Sequence, residues 1–205
     1  MLNKLFQNTC KPEGMGGKFI LTMMNSGHAK LSEWAIAHIN VKNNDYVLDI
    51  GCGGGANIGR FINKCPNGFV VGIDYSEESV KFSRKKNKKF LGKNCDVQVG
   101  NVNNIQFEDN EFDIVTAFET VYFWPDLREN FKEVNRVLKP NGCFMICCEE
   151  SDPDNDKWQE KIKGMKVYSA EQLKNLLNKT GFKVEKTDRK IDSSWMCIVA
   201  RKINK

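Results

Sequence analysis

The stretch that decides the fold is VLDIGCGGGANIGRF, Val47 to Phe61. It places five glycines within nine residues, Gly51 to Gly59, between two apolar runs. Glycine adopts positive φ without strain and, because it has no Cβ, lets a ligand approach the backbone closely. The N–H groups at the start of a following helix favour the negative or polar groups of a ligand. One glycine would satisfy a tight turn, so this run predicts a strand, a nucleotide-binding turn and a helix.

Outward from this turn, short β-rich runs alternate with helical patterns, which is typical of a parallel sheet covered by helices. The predicted strands are YVLDI, FVVGID, CDVQVG, FDIVTAF and CFMICCE, and the predicted helices lie near residues 57–64, 77–89 and 126–138. KPNG, Lys139 to Gly142, is predicted to end the third helix in a turn. Ser169 and Gln172 predict a capping box for a further helix that stops at Gly181. Only a short segment separates the last two strands, FKVEKT and SWMCIVAR, so they are expected to pair antiparallel.

The length of 205 residues predicts one domain with a substantial core. We interpret residues 1–45 as an added helical cap or lid, in which KPEGMGG, Lys11 to Gly17, forms a flexible link, and residues 46–205 as one globular unit. No apolar run approaches the length of a bilayer span and no export signal is evident, so we expect a cytoplasmic protein without a membrane partner. The eight cysteines lack zinc-type spacing. We therefore expect no metal, and reduced cysteines that behave as buried small hydrophobes.

The net charge of +5 is concentrated in KFSRKKNKKFLGK, Lys81 to Lys93, which holds seven basic residues. Runs of this kind are usually solvated helix faces, and the stretch lacks the interleaved aromatic residues that stack on bases. Nucleic acid is therefore disfavoured as a partner.

Two classes of cofactor fit the glycine-rich turn. Gly51, Gly53 and Ala56 satisfy the dinucleotide pattern G-x-G-x-x-G/A, and Asp74, at the end of the next strand, suits ribose hydroxyls in either class. Asp49 discriminates between them. A carboxylate two residues before the first glycine would repel a pyrophosphate, whereas it would attract the cationic ammonium of S-adenosylmethionine.

The motifs together resemble those of the class I S-adenosylmethionine-dependent methyltransferases. LDIGCGGG is similar to the family's first motif, D/E-x-G-x-G-x-G, through Asp49, Gly51, Gly53 and Gly55. VVGIDYS, GNVNNIQFEDNEFDIVTAFE and FKEVNRVLKPNGCFMI resemble the later motifs in the same order. The resemblance covers residues 45–149, continues more weakly to the C-terminus, and is closest to the small-molecule branch of type 11 and type 25 methyltransferases. It implies an α/β, Rossmann-like doubly wound sheet of seven strands in the order 3-2-1-4-5-7-6, with strand 7 antiparallel.

The resemblance also implies an enzyme that uses S-adenosylmethionine as its cofactor and transfers its methyl group to a small-molecule acceptor. Asp49 would support the methionine end, and Asp74 would bind both ribose hydroxyls. The other implied cofactor contacts are the backbone of Gly51, Cys52 and Gly53, Tyr75 against adenine, Asn101 and Val102 at the adenine edge, and Phe118 beside the sulfonium. The family usually has Asp where Asn101 stands, but an amide oxygen also accepts a hydrogen bond from the adenine amino group.

Methyl transfer from a sulfonium is an in-line displacement, so alignment supplies much of the acceleration. Where the acceptor must lose a proton, histidine is the commonest agent near neutral pH. His28 precedes a predicted helix and is a candidate base. His38 shares a helical stripe with Leu31 and Trp34, so we interpret it as a histidine at the edge of the core.

A second group of candidates lies in AFETVYFWPD, Ala117 to Asp126, after the fourth strand. Glu119 and Tyr122 are candidate catalytic residues there, and Phe123 and Trp124 are aromatic neighbours. One carboxylate among aromatic rings suits an amine or a planar acceptor. FETV departs from the N/D-P-P-Y/F motif of adenine-DNA methyltransferases, which disfavours that substrate.

Three alternatives remain open from the sequence. The basic run Lys81 to Lys93 is compatible with an RNA methyltransferase. The glycine pattern is also compatible with a nicotinamide-dependent oxidoreductase, and the motifs together are compatible with a protein that binds the cofactor without turnover. The sequence leaves the acceptor and the oligomeric state open.

Overall fold

The computed structural model describes residues 14–155 and 157–204. Seven strands in this part of the chain form one sheet: β1 (Tyr46–Ile50), β2 (Phe69–Asp74), β3 (Cys95–Val99), β4 (Phe112–Phe118), β5 (Leu138–Cys148), β6 (Phe182–Arg189) and β7 (Met196–Lys202). Their order is β3-β2-β1-β4-β5-β7-β6. The predicted order is therefore confirmed.

The pairing of the strands explains where β1 lies. β1 pairs in parallel with β2 on one side and with β4 on the other, and all but its first residue are buried. Near-continuous apolar strands are typical of parallel sheets that are covered on both faces. β7 pairs antiparallel with both β5 and β6, which confirms the predicted antiparallel end of the sheet.

Besides a 3-10 helix at Val121–Phe123, six α-helices accompany the sheet in the described residues: α1 (Gly14–Gly27), α2 (Ala29–Ile36), α3 (Ala56–Lys64), α4 (Glu77–Lys86), α5 (Leu127–Val137) and α6 (Ala170–Lys179). Asp126 caps α5, accepting hydrogen bonds from the backbone of Arg128 and Glu129. The capping box of Ser169 and Gln172 is present at the start of α6, as predicted. Among the described helices, none has the length and apolar character needed to cross a membrane.

Three local predictions are wrong. α4 ends at Lys86 rather than Lys89, because the Asn87 side chain donates to the Gly55 carbonyl at 3.0 Å and holds the chain in a turn. The segment Lys139 to Gly142 is an irregular part of β5 rather than a separate turn, since pairing with β4 already begins at Leu138 before a register shift. The predicted flexible link is wrong for residues 14–17, which are helical, while residues 11–13 lie outside the described part of the chain.

The helical start of α1 runs against the low helix propensity of its glycines. Ile20 and Leu21 of this helix are buried, so tertiary packing outweighs local propensity. α1 and α2 both fall within the segment interpreted as a helical cap. The division at residue 45 stays a prediction.

Apolar side chains pack on both faces of the sheet and form two clusters. The seven described cysteines are all buried and unpaired, as the composition predicted, and Cys10 lies outside the described residues. Burial raises the pKa of the Cys143 thiol to about 12, because the apolar interior disfavours a thiolate. These cysteines therefore behave as small hydrophobes.

Candidate active site

A cavity of about 350 Å³ lies at the carboxyl ends of β1, β2 and β4. This is the edge at which open α/β sheets bind ligands, and the volume lies in the range of small-molecule sites. Its lining includes all the residues predicted to contact the cofactor: Asp49, Gly51, Cys52, Gly53, Asp74, Tyr75, Asn101, Val102 and Phe118. Two candidate catalytic residues, His28 and Glu119, line the same cavity.

The glycine-rich turn has the backbone geometry that its composition predicts. Gly51, Gly53 and Gly55 have φ values of 73°, 50° and 72°, which residues with a Cβ rarely adopt. A Cβ on Gly51 would also overlap the side chain of Thr120. Gly55 is the N-cap of α3, so the turn leads directly into a helix start beside the cavity.

Asp74 is the best-defined polar group of the cavity. It is 7% exposed, and its two carboxylate oxygens accept hydrogen bonds from the backbone of Gly53 and Ser76, each at 2.9 Å. Burial raises the pKa of Asp74, while these hydrogen bonds oppose the shift. Each carboxylate oxygen has room for one more donor, which is the chemistry that a ribose diol requires.

Asp49 lies beneath the turn and is 2% exposed. The Thr116 hydroxyl donates to its carboxylate at 2.8 Å. Burial raises the pKa of Asp49 to about 7, Thr116 opposes this, and the charge of Asp74 adds to it. A cation placed here would restore the ionised form, whereas a pyrophosphate would face two carboxylates, so the donor set fits an ammonium group.

Glu119 directly follows β4 and has φ of 57°, an uncommon conformation for a residue with a side chain. Its carboxylate accepts hydrogen bonds from the Glu149 backbone and, at 3.3 Å, from the Tyr122 hydroxyl. Burial raises the pKa of Glu119 to about 7, although the charge of His28 lowers it.

His28 lies between α1 and α2, and its Nε2 is 3.4 Å from a carboxylate oxygen of Glu149. Burial lowers the pKa of His28, but the hydrogen bond to Glu149 and the charges of Glu119 and Glu149 outweigh burial, so the pKa is raised. The same hydrogen bond lowers the pKa of Glu149. Sequence reasoning missed Glu149. Its position directly after the fifth strand, at the carboxyl edge of the sheet, was the signal that could have identified it.

Ligating atoms of His28, Glu119 and Glu149 lie within 4.8 Å of one another, close enough to share a metal ion. The expectation that the protein holds no metal therefore stays a prediction.

The other candidates divide between the cavity and the fold. Tyr122 is 3% exposed and does not line the cavity, because its hydroxyl accepts from the Glu150 backbone N–H and contacts the Glu150 carbonyl, both at 3.0 Å. Phe123 and Trp124 do line it. His38 bonds the Trp34 carbonyl and Asp188, both at 2.8 Å, outside the cavity, which agrees with a role at the edge of the core.

The helices α1 and α2 close the cavity on the side away from the sheet. Asn25 of α1 donates to the Gly54 carbonyl at 3.2 Å, and Leu21 lies beside Gly53. Leu31 and Ser32 of α2 complete this wall. The glycine-rich turn is thus covered by an N-terminal helix.

A family model for a methyltransferase domain matches residues 41–190, more than two thirds of the chain. The chain belongs to the class I S-adenosylmethionine-dependent methyltransferases. The match covers the seven-stranded sheet up to β6 and the carboxyl-edge residues of the cavity from Asp49 to Pro125. S-adenosylmethionine is the cofactor of this family, and Asp49 and Asp74 fit its ammonium and ribose.

Curated relatives of this methyltransferase act on different substrates, as their names state. The demethylmenaquinone methyltransferase of Staphylococcus saprophyticus is 33% identical over 138 residues, which are 66% of this chain and 58% of the relative. The 24-methylenesterol C-methyltransferase 2 of Arabidopsis thaliana is 34% identical over 143 residues, 67% of this chain and 39% of the relative. The chain therefore spans about half the length of these relatives.

Solved structures agree on the fold of the methyltransferase. An S-adenosylmethionine-dependent methyltransferase from Aquifex aeolicus superimposes with a TM-score of 0.76 at 22% sequence identity, covering 89% of this chain and 97% of that one.

Proposed function

We propose that this methyltransferase binds S-adenosylmethionine in the described cavity and transfers its methyl group to a small-molecule acceptor. One observation carries the proposal: two buried carboxylates, Asp49 and Asp74, stand at the ends of adjacent parallel strands and face one cavity beside a glycine-rich turn. Asp74 holds the ribose hydroxyls and Asp49 the ammonium group of the methionine moiety.

The bound cofactor supplies a methyl group that is attached to a sulfonium, and the sulfur departs as a neutral thioether. The residues of the chain orient the two reactants and exclude water. Phe118 provides an apolar wall at the end of β4, and α1 covers the turn through Asn25. Fixed orientation of the two reactants supplies much of the acceleration of an in-line displacement.

A small acceptor is supported by the size of the cavity, about 350 Å³, and by its aromatic lining. Phe118, Phe123 and Trp124 line it from the sheet side, and α1 and α2 from the other. Relatives named for 24-methylenesterol and demethylmenaquinone also act on small molecules. The RNA alternative has less support, because no residue of the basic run 81–93 lines the cavity in the described part of the chain.

The test is a calorimetric titration of the purified chain with S-adenosylmethionine, S-adenosylhomocysteine and NAD in parallel. We expect micromolar binding of the first two and none of NAD. Binding of NAD alone would refute the proposed cofactor and restore the oxidoreductase alternative. Binding of the first two without turnover on any acceptor would reduce the proposal to a cofactor-binding protein.

A further inference from the structure

The cavity has more acidic side chains than the cofactor requires. Once Asp49 and Asp74 are assigned to the ammonium and the ribose, Glu119 remains, with Glu149 and His28 beside it. Two carboxylates thus face a single imidazole next to Phe118, where the methyl group would be transferred.

The basic side chains of the cavity offset this surplus only in part, because His28 is the one that faces the two carboxylates. Among the described residues, His28 and Arg60 are the basic ones that line it. Arg60 lies on α3, where it contacts Asn57 at 3.3 Å and Glu33 at 3.7 Å. Its charge is directed to that side, so the region around Glu119 favours a cation.

We propose that the acceptor is an amine, protonated in solution, whose nitrogen is held by the carboxylate of Glu119 at the point of methyl transfer. This inference rests on the proposed function and names its substrate class.

Other acceptor classes fit these groups less well. A carboxylate, phosphate or phenolate acceptor would meet the Glu119 carboxylate, which lines the cavity. A hydrocarbon acceptor would make no use of the Glu119 carboxylate and would place apolar surface against it, at a cost in desolvation. The aromatic faces of Phe118, Phe123 and Trp124 attract cations as well.

The proton balance of an amine acceptor also fits the cluster. A protonated amine has no free electron pair, so one N–H proton passes first to Glu119 or His28. The freed pair then forms the bond to the methyl carbon, while the carbon–sulfur bond breaks and its electron pair stays on sulfur. The product nitrogen carries the positive charge that the sulfonium loses.

The released proton has a route to solvent. His28 faces Glu119 inside the site and contacts Glu149, and the side chains of His28 and Glu149 are 28% and 50% exposed. Among the described residues, the ionisable groups that act on Glu119 are His28 from the α1–α2 junction, Tyr122, and Cys147, Cys148 and Glu149 at the end of β5. Since the ligating atoms of Glu119, His28 and Glu149 lie within 4.8 Å of one another, His28 connects the carboxylate of Glu119 to a partly exposed pair.

Sinefungin tests this inference without knowledge of the acceptor. This cofactor analogue carries a protonated amine where S-adenosylmethionine carries its methyl group, so it places a cationic nitrogen at the transfer point. We expect calorimetry at pH 7.5 to rank affinity as sinefungin, S-adenosylmethionine, then S-adenosylhomocysteine, with about tenfold or more between the first and the last, the size of a charge-assisted hydrogen bond.

Glu119→Gln should remove most of the preference for sinefungin while S-adenosylhomocysteine binds within about threefold of wild type. Glu129→Gln is the matched control, because Glu129 is exposed on α5 and pairs with Lys132. It should leave all three affinities unchanged.

Three results would overturn the inference. Wild-type protein that binds sinefungin and S-adenosylhomocysteine equally has no cation site at the transfer point. Equal gains for sinefungin and S-adenosylmethionine, both lost in Glu119→Gln, would assign the carboxylate to the sulfonium. Titrations with MgCl2 or ZnCl2 would assign the cluster to a metal ion under two conditions. The metal would have to bind in a way that depends on Glu119, and the preference for sinefungin would have to disappear when the metal is present. Failure of all nucleosides to bind would instead refute the proposed function.

Discussion

Replacement of Asp74 by alanine tests the cofactor site most directly. The carboxylate holds two backbone N–H groups, of Gly53 and Ser76, at 2.9 Å, and is expected to accept two ribose hydroxyls through its remaining lone pairs. A hydrogen bond to a charged group contributes about 1.5–3 kcal/mol. Two such bonds correspond to a loss of about 3–6 kcal/mol, or a Kd for S-adenosylhomocysteine weakened by roughly two to four orders of magnitude.

The assay is calorimetric titration of Asp74→Ala with S-adenosylhomocysteine, accompanied by circular dichroism and a thermal melt to show that the variant folds. Asp96→Ala is the matched control. Asp96 lies on β3 and pairs with Arg84 at 3.0 Å, and its replacement should leave the Kd unchanged. A folded Asp74→Ala protein that binds within threefold of wild type would refute the assignment of the ribose to this strand end.

Three further predictions concern stability. The folded-state pKa of Asp49 is raised to about 7, so its contribution to stability is complete below the ordinary carboxyl pKa and is lost as the pH rises to 7. The Tm should therefore fall between about pH 4 and pH 7, and equal slopes in wild type and Asp49→Asn would contradict this. Gly51→Ala should lower the free energy of unfolding in urea by at least about 1 kcal/mol more than Gly92→Ala does. Both glycines have φ near 72°, but of the two only Gly51 lacks space for a Cβ, which would overlap Thr120. Equal losses would show that Thr120 moves aside at no cost. Tyr122→Phe should lower the free energy of unfolding by about 1–3 kcal/mol in the same assay, because the buried Glu150 N–H loses its partner. Binding of S-adenosylhomocysteine should stay unchanged, and weaker binding would instead place Tyr122 in the site.

The parts of the fold that were predictable depend on local signals. The glycines from Gly51 to Gly55 require a strand before them and a helix after them, and Asp74 stands at a strand end that the apolar pattern of FVVGID makes plain. Strand order and the placement of the cofactor residues followed from these signals together with the family resemblance.

The remaining features depend on contacts between distant segments. α4 stops early because Asn87 reaches Gly55, 32 residues away in the chain. The proximity of Glu149 to His28 requires both the register of β5 and the position of the N-terminal helices. Tyr122 faces the Glu150 backbone rather than the cavity, and neither side-chain direction nor this partner is encoded in local periodicity.

The helix α1, which covers the glycine-rich turn, comes from a different part of the chain than the strand ends that it faces. The cofactor side is built from strand ends of the sheet, whereas Leu21, Asn25 and Leu31 come from helices that precede the first strand. Because Leu21 lies beside Gly53 and Asn25 donates to the Gly54 carbonyl, exchanges on α1 would act on the nucleoside site, and exchanges at Leu31 would also act on the core. Variants of this helical pair should therefore be screened for nucleoside affinity, folding and turnover together.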